Sequence, residues 1–185
     1  MLRFLAACCA FASVATTQVP DAPIRLRDAK SATCGYGTAR DDRSIDGHSL
    51  AVLDVVAERG IGTHAPAELV FAIPANMHWL TCWFGVASER ATNGSIALVV
   101  FADGEEVHRT PVQRGGAAPV FVVCEITGKK ELRLVVTEGG DGNGADHANL
   151  LWPTFVSREV MPEGKLPNAI EFTGTARAPE GLALW

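Results

Sequence analysis

Between Trp79 and Val86 the chain alternates in a way that fixes its conformation. Leu80, Cys82, Phe84 and Val86 fall on one side of an extended strand, and Trp79, Thr81 and Trp83 fall on the other. Residues 95–102 are an apolar run closed by the turn pair Asp103-Gly104, with residues 106–112 as the hairpin partner. Residues 119–126 and 131–137 read as two more strands joined at 127–129, and 148–157 as the last. Upstream, 24–28 predicts an edge strand, 33–38 a glycine-punctuated turn, 50–56 a β-branched apolar stretch and 68–73 a strand. No segment sustains a helical period. The pattern predicts an all-β chain folded as a β-sandwich of jelly-roll type. With 185 residues, 48% of them hydrophobic, the chain can fill such a core.

The ends of the chain read differently. Residues 1–15 have the form of an export signal, with Arg3, an apolar run over 4–11 and small residues at Ala10, Ala12, Ser13 and Ala15. Leu5-Ala6-Ala7-Cys8 offers a lipoprotein box as the alternative. The apolar run is too short to cross a bilayer, so no membrane span is expected. The expected location is secreted, or periplasmic and cell-envelope. The domain plan is a signal over 1–15, a sandwich over 24–157 and a C-terminal tail over 158–185. Trp79 and Trp83 would leave two large rings on an open face. Ile170, Phe172, Leu182, Leu184 and Trp185 are the tail residues expected to cover them; a second sugar platform is the rival reading. A net charge of -5 with no basic cluster excludes nucleic acid as a partner. Removing the signal leaves Cys34, Cys82 and Cys124, an odd count in which the last two sit in apolar alternation. No structural disulfide is expected, with Cys34–Cys124 or Cys82–Cys124 as the competitors.

Three stretches hold candidate chemistry. Gly60-Ile61-Gly62-Thr63-His64-Ala65-Pro66 reads as a rigid bend aiming His64, either into a site or as the cap of a neighbouring loop. Asp42 and Asp46 flank Arg43, which could hold both carboxylates, in a site or as a structural ion pair. Asp146 and His147 follow a glycine-rich loop over 138–146. Asp141-Gly142-Asn143 has the spacing of a calcium loop, but Ala145 and Asp146 break the order and no bidentate glutamate follows. A structural calcium there, or a metal using Asp42 or Asp46, is the alternative to a metal-free fold. The chain has no G-x-S-x-G or H-E-x-x-H pattern, and no enzymatic activity is expected.

Taken together, several strings resemble one family. They are Gly35-Tyr36-Gly37, the run from Asp42 to Gly47, the Gly60–Pro66 string, Phe101-Ala102-Asp103-Gly104, the run over 131–137 and the run over 141–148, in the family's order. The chain resembles the NPCBM domain, the family 51 carbohydrate-binding module. The resemblance implies a jelly-roll sandwich that binds galactose-containing glycans without catalysis. The family's H-A-D-W becomes His147-Ala148-Asn149-Leu150 here, with Trp152 two residues on and on the same face as Leu150. A sugar site needs hydroxyl partners and an aromatic face. The candidate ligand residues are therefore His64, Asp146, His147, Trp152, Asp42 and Arg43, with core packing as the other reading of Trp152. A structural or protein-interaction sandwich that has lost sugar binding is the alternative function.

Overall fold

Strands with alternating side chains bury their apolar sides when two sheets face each other, and the described residues form two such six-stranded sheets. The computed structural model describes residues 19–166. In chain order the strands are β1 Ala22–Pro23, β2 Ser31–Thr33, β3 Arg40–Asp41, β4 Leu50–Val52, β5 Val55–Ala57, β6 Gly60–His64 and β7 Ala67–Ala72. They continue with β8 Trp79–Val86, β9 Ser95–Ala102, β10 Glu105–Arg109, β11 Gln113–Arg114, β12 Val120–Glu125, β13 Glu131–Glu138 and β14 His147–Val156. One antiparallel sheet runs β12-β8-β14-β6-β3 with β1 on β14; the other runs β10-β9-β13-β7-β2 with β11 on β9. From β6 to β9 successive strands switch sheets, as do β12, β13 and β14, which gives the predicted jelly-roll sandwich.

The core lies between the sheets. Leu80, Cys82 and Phe84 of β8 meet Leu132, Leu134 and Val136 of β13 and Leu69 and Phe71 of β7 there. Each large apolar side chain so buried contributes roughly 1.5–3 kcal/mol before ordering costs. Cys34, Cys82 and Cys124 are free thiols. Burial pushes the Cys124 thiol up to about 12, and pushes Cys82 up as well.

Two local expectations are corrected, and the stretch over 50–56 takes a defined shape. Residues 24–28 are no edge strand: Asp41 accepts from the amides of Leu26 at 2.6 Å and Arg27 at 3.2 Å, winding Leu26–Asp28 into a 3₁₀ turn. The apolar stretch 50–56 folds on itself as the β4–β5 hairpin, with Leu53 at φ 53° between the strands. Gly60–His64 is a strand rather than a bend, and its glycines serve packing. A Cβ on Gly62 would lie 2.2 Å from the Arg43 carbonyl oxygen, and one on Gly60 would lie 2.1 Å from that of Leu150. The chain at 43–44 thus lies flat on β6 because Gly62 has no side chain.

The described beginning of the tail runs across the outer face of β8 and β12. Trp79 donates through Nε1 to the Glu159 carbonyl at 3.2 Å, and a Cβ on Gly164 would come within 2.7 Å of the Phe121 ring. The expected anchors Ile170, Phe172, Leu182, Leu184 and Trp185 lie outside the described residues, as does the expected signal.

Candidate ligand site

Alternation along β6 puts Gly60, Gly62 and His64 on the outer face of their sheet, while Ile61 joins the core. Along β14, His147, Asn149 and Leu151 share that outer face, and Ala148 and Leu150 point inward. The ladder pairs His147 with His64 and Asn149 with Gly62. The overlying chain at 43–57 covers the glycine end of this row and reaches the histidines only through Asp46, 3.7 Å from His147 Nδ1. His64 is therefore the first residue of its row with a side chain to place, and it places it beside His147. The ring centroids lie 5.1 Å apart in an edge-to-face arrangement.

Other loops complete a hollow of about 370 Å³ around this pair, lined also by Tyr36, Arg90, Asn143 and Ala145. Tyr36 is 59% exposed, its ring 5.5 Å from His64 and 6.4 Å from His147, inclined 29° to the latter. Behind the hollow, His64 donates through Nδ1 to the Ala65 carbonyl at 2.6 Å, and His147 donates through Nδ1 to Glu89 Oε1 at 2.9 Å. Glu89 also accepts from the Ser44 hydroxyl at 2.7 Å and His48 Nδ1 at 2.6 Å. Burial alone would raise its pKa, but these hydrogen bonds outweigh it and hold the carboxyl below its ordinary range. Burial lowers the pKa of His64 and raises that of Asp146.

Of the predicted residues, the structure brings His64 and His147 together. Asp146 adjoins them in sequence but is fully buried, accepting from the Ser95 amide at 2.8 Å, so it braces the loop from below. Asp42 and Arg43 lie elsewhere. Arg43 does not bridge the two carboxylates: Asp42, at φ 57°, turns to Arg25 at 2.5 Å and to the Gly60 amide at 3.0 Å, while Asp46 pairs with Arg90 at 2.5 Å. The exposed Arg43 borders a separate hollow with Asp42, Ser49 and Glu58. Trp152 is five residues along β14 from His147, roughly 16 Å at strand rise. It sits in an irregularity of the β14–β8 ladder, packs on Leu151 and the β4–β5 hairpin, and donates through Nε1 to Glu58 at 3.2 Å. It thus packs away from the histidine pair.

Tyr36, Glu89, Arg90 and Asn143 were not among the predicted residues. Tyr36 had a signal, an aromatic ring between two glycines. Glu89 and Arg90 had none, because only the turn after β8 brings them to His147. Ligand atoms of Asp46, Glu89 and His147 lie within 4.8 Å of one another. Arg90, Ser44 and His48 already occupy the two carboxylates, and a metal would have to displace them and tolerate the guanidinium. In the glycine-rich loop, Asp141 accepts from the Ser95 hydroxyl and lies 3.6 Å from Arg114, so Asp141 and Asp146 both turn to protein groups. Among the described residues no helix is long and apolar enough to cross a membrane.

The chain is similar to several known proteins. The CBM51 of GH95 from Clostridium perfringens, solved in complex with methyl-galactose, is 33% identical, with a TM-score of 0.67 over 72% of this chain and 99% of that one. The CBM51-2 and INT domains of Clostridium perfringens ZmpB match at 28% identity and a TM-score of 0.71, over 75% of this chain and 32% of that one. The alpha-1,3-galactosidase B of Akkermansia muciniphila is 29% identical over 144 residues, 74% of this chain and 18% of that protein. The chain spans only 8% and 18% of the curated relatives it matches. The NPCBM/NEW2 domain model matches residues 21–156, and the chain belongs to that family of carbohydrate-binding modules.

Proposed function

We propose that this chain is a non-catalytic module that binds a galactose-type glycan in the hollow between Tyr36, His64, Arg90 and His147. The observation behind this reading is the cross-strand pair of imidazoles beside a half-open tyrosine ring. Two rings with hydrogen-bonding nitrogens, a guanidinium and an aromatic face together match a sugar's hydroxyls and its C–H surface. The relative solved with methyl-galactose supports the sugar class, and the galactosidase relative, of which this chain spans a small part, is in keeping with it. We further propose that residues 1–15 direct the protein out of the cytoplasm and that the folded unit spans 24–157.

A glycan array followed by calorimetry with a methyl galactoside tests the reading. His64→Ala is expected to lower affinity at least about tenfold, the loss of one hydrogen-bonding partner or more, while the melting temperature stays within a few degrees. No glycan binding by the wild type, or equal affinity in the variant, would favour a structural or protein-interaction role instead.

A further inference from the structure

The two imidazoles of the hollow are each fixed from behind by a group that can only accept. The Ala65 carbonyl has no proton to give, so the 2.6 Å contact requires the hydrogen on Nδ1 of His64. Glu89 is held ionised by Ser44, His147 and His48, so its 2.9 Å contact requires the hydrogen on Nδ1 of His147. A neutral imidazole carries one N–H. In either ring, when it is neutral, that hydrogen is turned away and Nε2 is left as a bare lone pair. Neither Nε2 has a hydrogen-bond partner among the described residues, and both rings line the same hollow.

The surroundings favour the neutral state of His64. It is buried beneath Tyr36 and faces His147 across the ladder, Asp146 at the adjoining loop and Arg90 from the turn after β8. Burial and the neighbouring Arg90 disfavour a second proton, and the Ala65 carbonyl and Asp146 only partly oppose them. His147 faces His64, Tyr36, Glu89 and Asp46, with Asp46 already paired to Arg90. The donors on the hollow's wall are the Arg90 guanidinium, the Tyr36 hydroxyl and the Asn143 amide.

We propose that His64 and His147 enter this site as a pair of acceptors, each taking a hydroxyl proton through Nε2, so that the ligand is selected for two O–H groups that donate. This rests on the sugar-binding reading above and assigns the direction of its hydrogen bonds. A hydroxyl can donate or accept; fluorine in its place cannot donate. The site is therefore expected to reject a deoxyfluoro sugar at the two positions it reads as firmly as it rejects the deoxy sugar.

Two measurements on the full chain test this. Long-range proton–nitrogen NMR at about pH 7.5 should find the proton on Nδ1 of both rings; an Nε2–H tautomer in either overturns the proposal. Calorimetry with a methyl galactoside and its monodeoxy and monodeoxyfluoro analogues should show two positions at which both replacements cost about tenfold or more. Fluoro analogues that bind like the parent would overturn the acceptor assignment alone. A parent galactoside that does not bind would overturn the proposed function and this inference together.

Discussion

Gly62 stands directly opposite Asn149 in the β6–β14 ladder, and the Arg43 carbonyl oxygen occupies the space a side chain on Gly62 would need. Asn149 in turn donates through Nδ2 to the Ala51 carbonyl at 2.9 Å, so the strand pair and its covering segment are held at one point. The backbone contact cannot yield as a flexible side chain would. Gly62→Ala is therefore expected to lower stability by about 1–3 kcal/mol, the usual cost of overpacking a filled site. Denaturant unfolding measures it, and an unchanged midpoint would show that the 43–44 segment moves freely.

Tyr36 separates binding from folding. Its ring is mostly open to solvent and touches the two histidines. Tyr36→Ala is expected to weaken galactoside binding roughly 2- to 12-fold, the range of an aromatic contact of about 0.5–1.5 kcal/mol, with the melting temperature unchanged. Equal affinity in calorimetry would remove the ring from the site.

The lowered pKa of His64, caused first by burial, makes stability depend on pH. In the window from its ordinary value of 6.5 down to its folded value, the unfolded chain binds the extra proton and the folded chain does not. Stability is thus complete above that ordinary value and falls as pH drops through the window. Burial lowers His108 as well, and it adds a slope of the same sign. In His64→Gln the rise in melting temperature between about pH 5 and 7 should be shallower than in the wild type but not flat. An equal slope in calorimetric scans would show that His64 is solvated.

The thiols give a chemical check on the core. Cys82 and Cys124 are buried and held protonated, while Cys34 is partly open and donates to the Tyr36 carbonyl at 2.9 Å. A chain lacking residues 1–15 should show one thiol to an aromatic disulfide reagent when native and three when denatured without reductant. A denatured count of one would reveal a disulfide.

The sequence made some of this legible and hid the rest for physical reasons. Alternation in β8 and the Asp103-Gly104 turn are local properties, and both were readable. Gly60, Gly62 and His64 stand two apart, which is strand spacing, yet two glycines read equally well as a bend. The difference lies in the Arg43 backbone resting on Gly62, a contact across chain segments. The same limit explains the acids. Asp42 and Asp46 flank Arg43 in sequence, but Arg25 and Arg90 reach them through the fold. Glu89 shows no local mark of its hold on His147, because only the turn after β8 brings the two together.

The rung that joins His64 to His147 also makes the site a report on how the chain was threaded. Both rings face outward only because β6 and β14 pair in one alignment; a slip of one residue would turn a whole row of side chains to the opposite face. A misaligned molecule could keep most of its strands and still present no imidazole pair. Binding to an immobilised galactoside, if the proposed function holds, would then retain the correctly threaded molecules and let the misthreaded ones pass through.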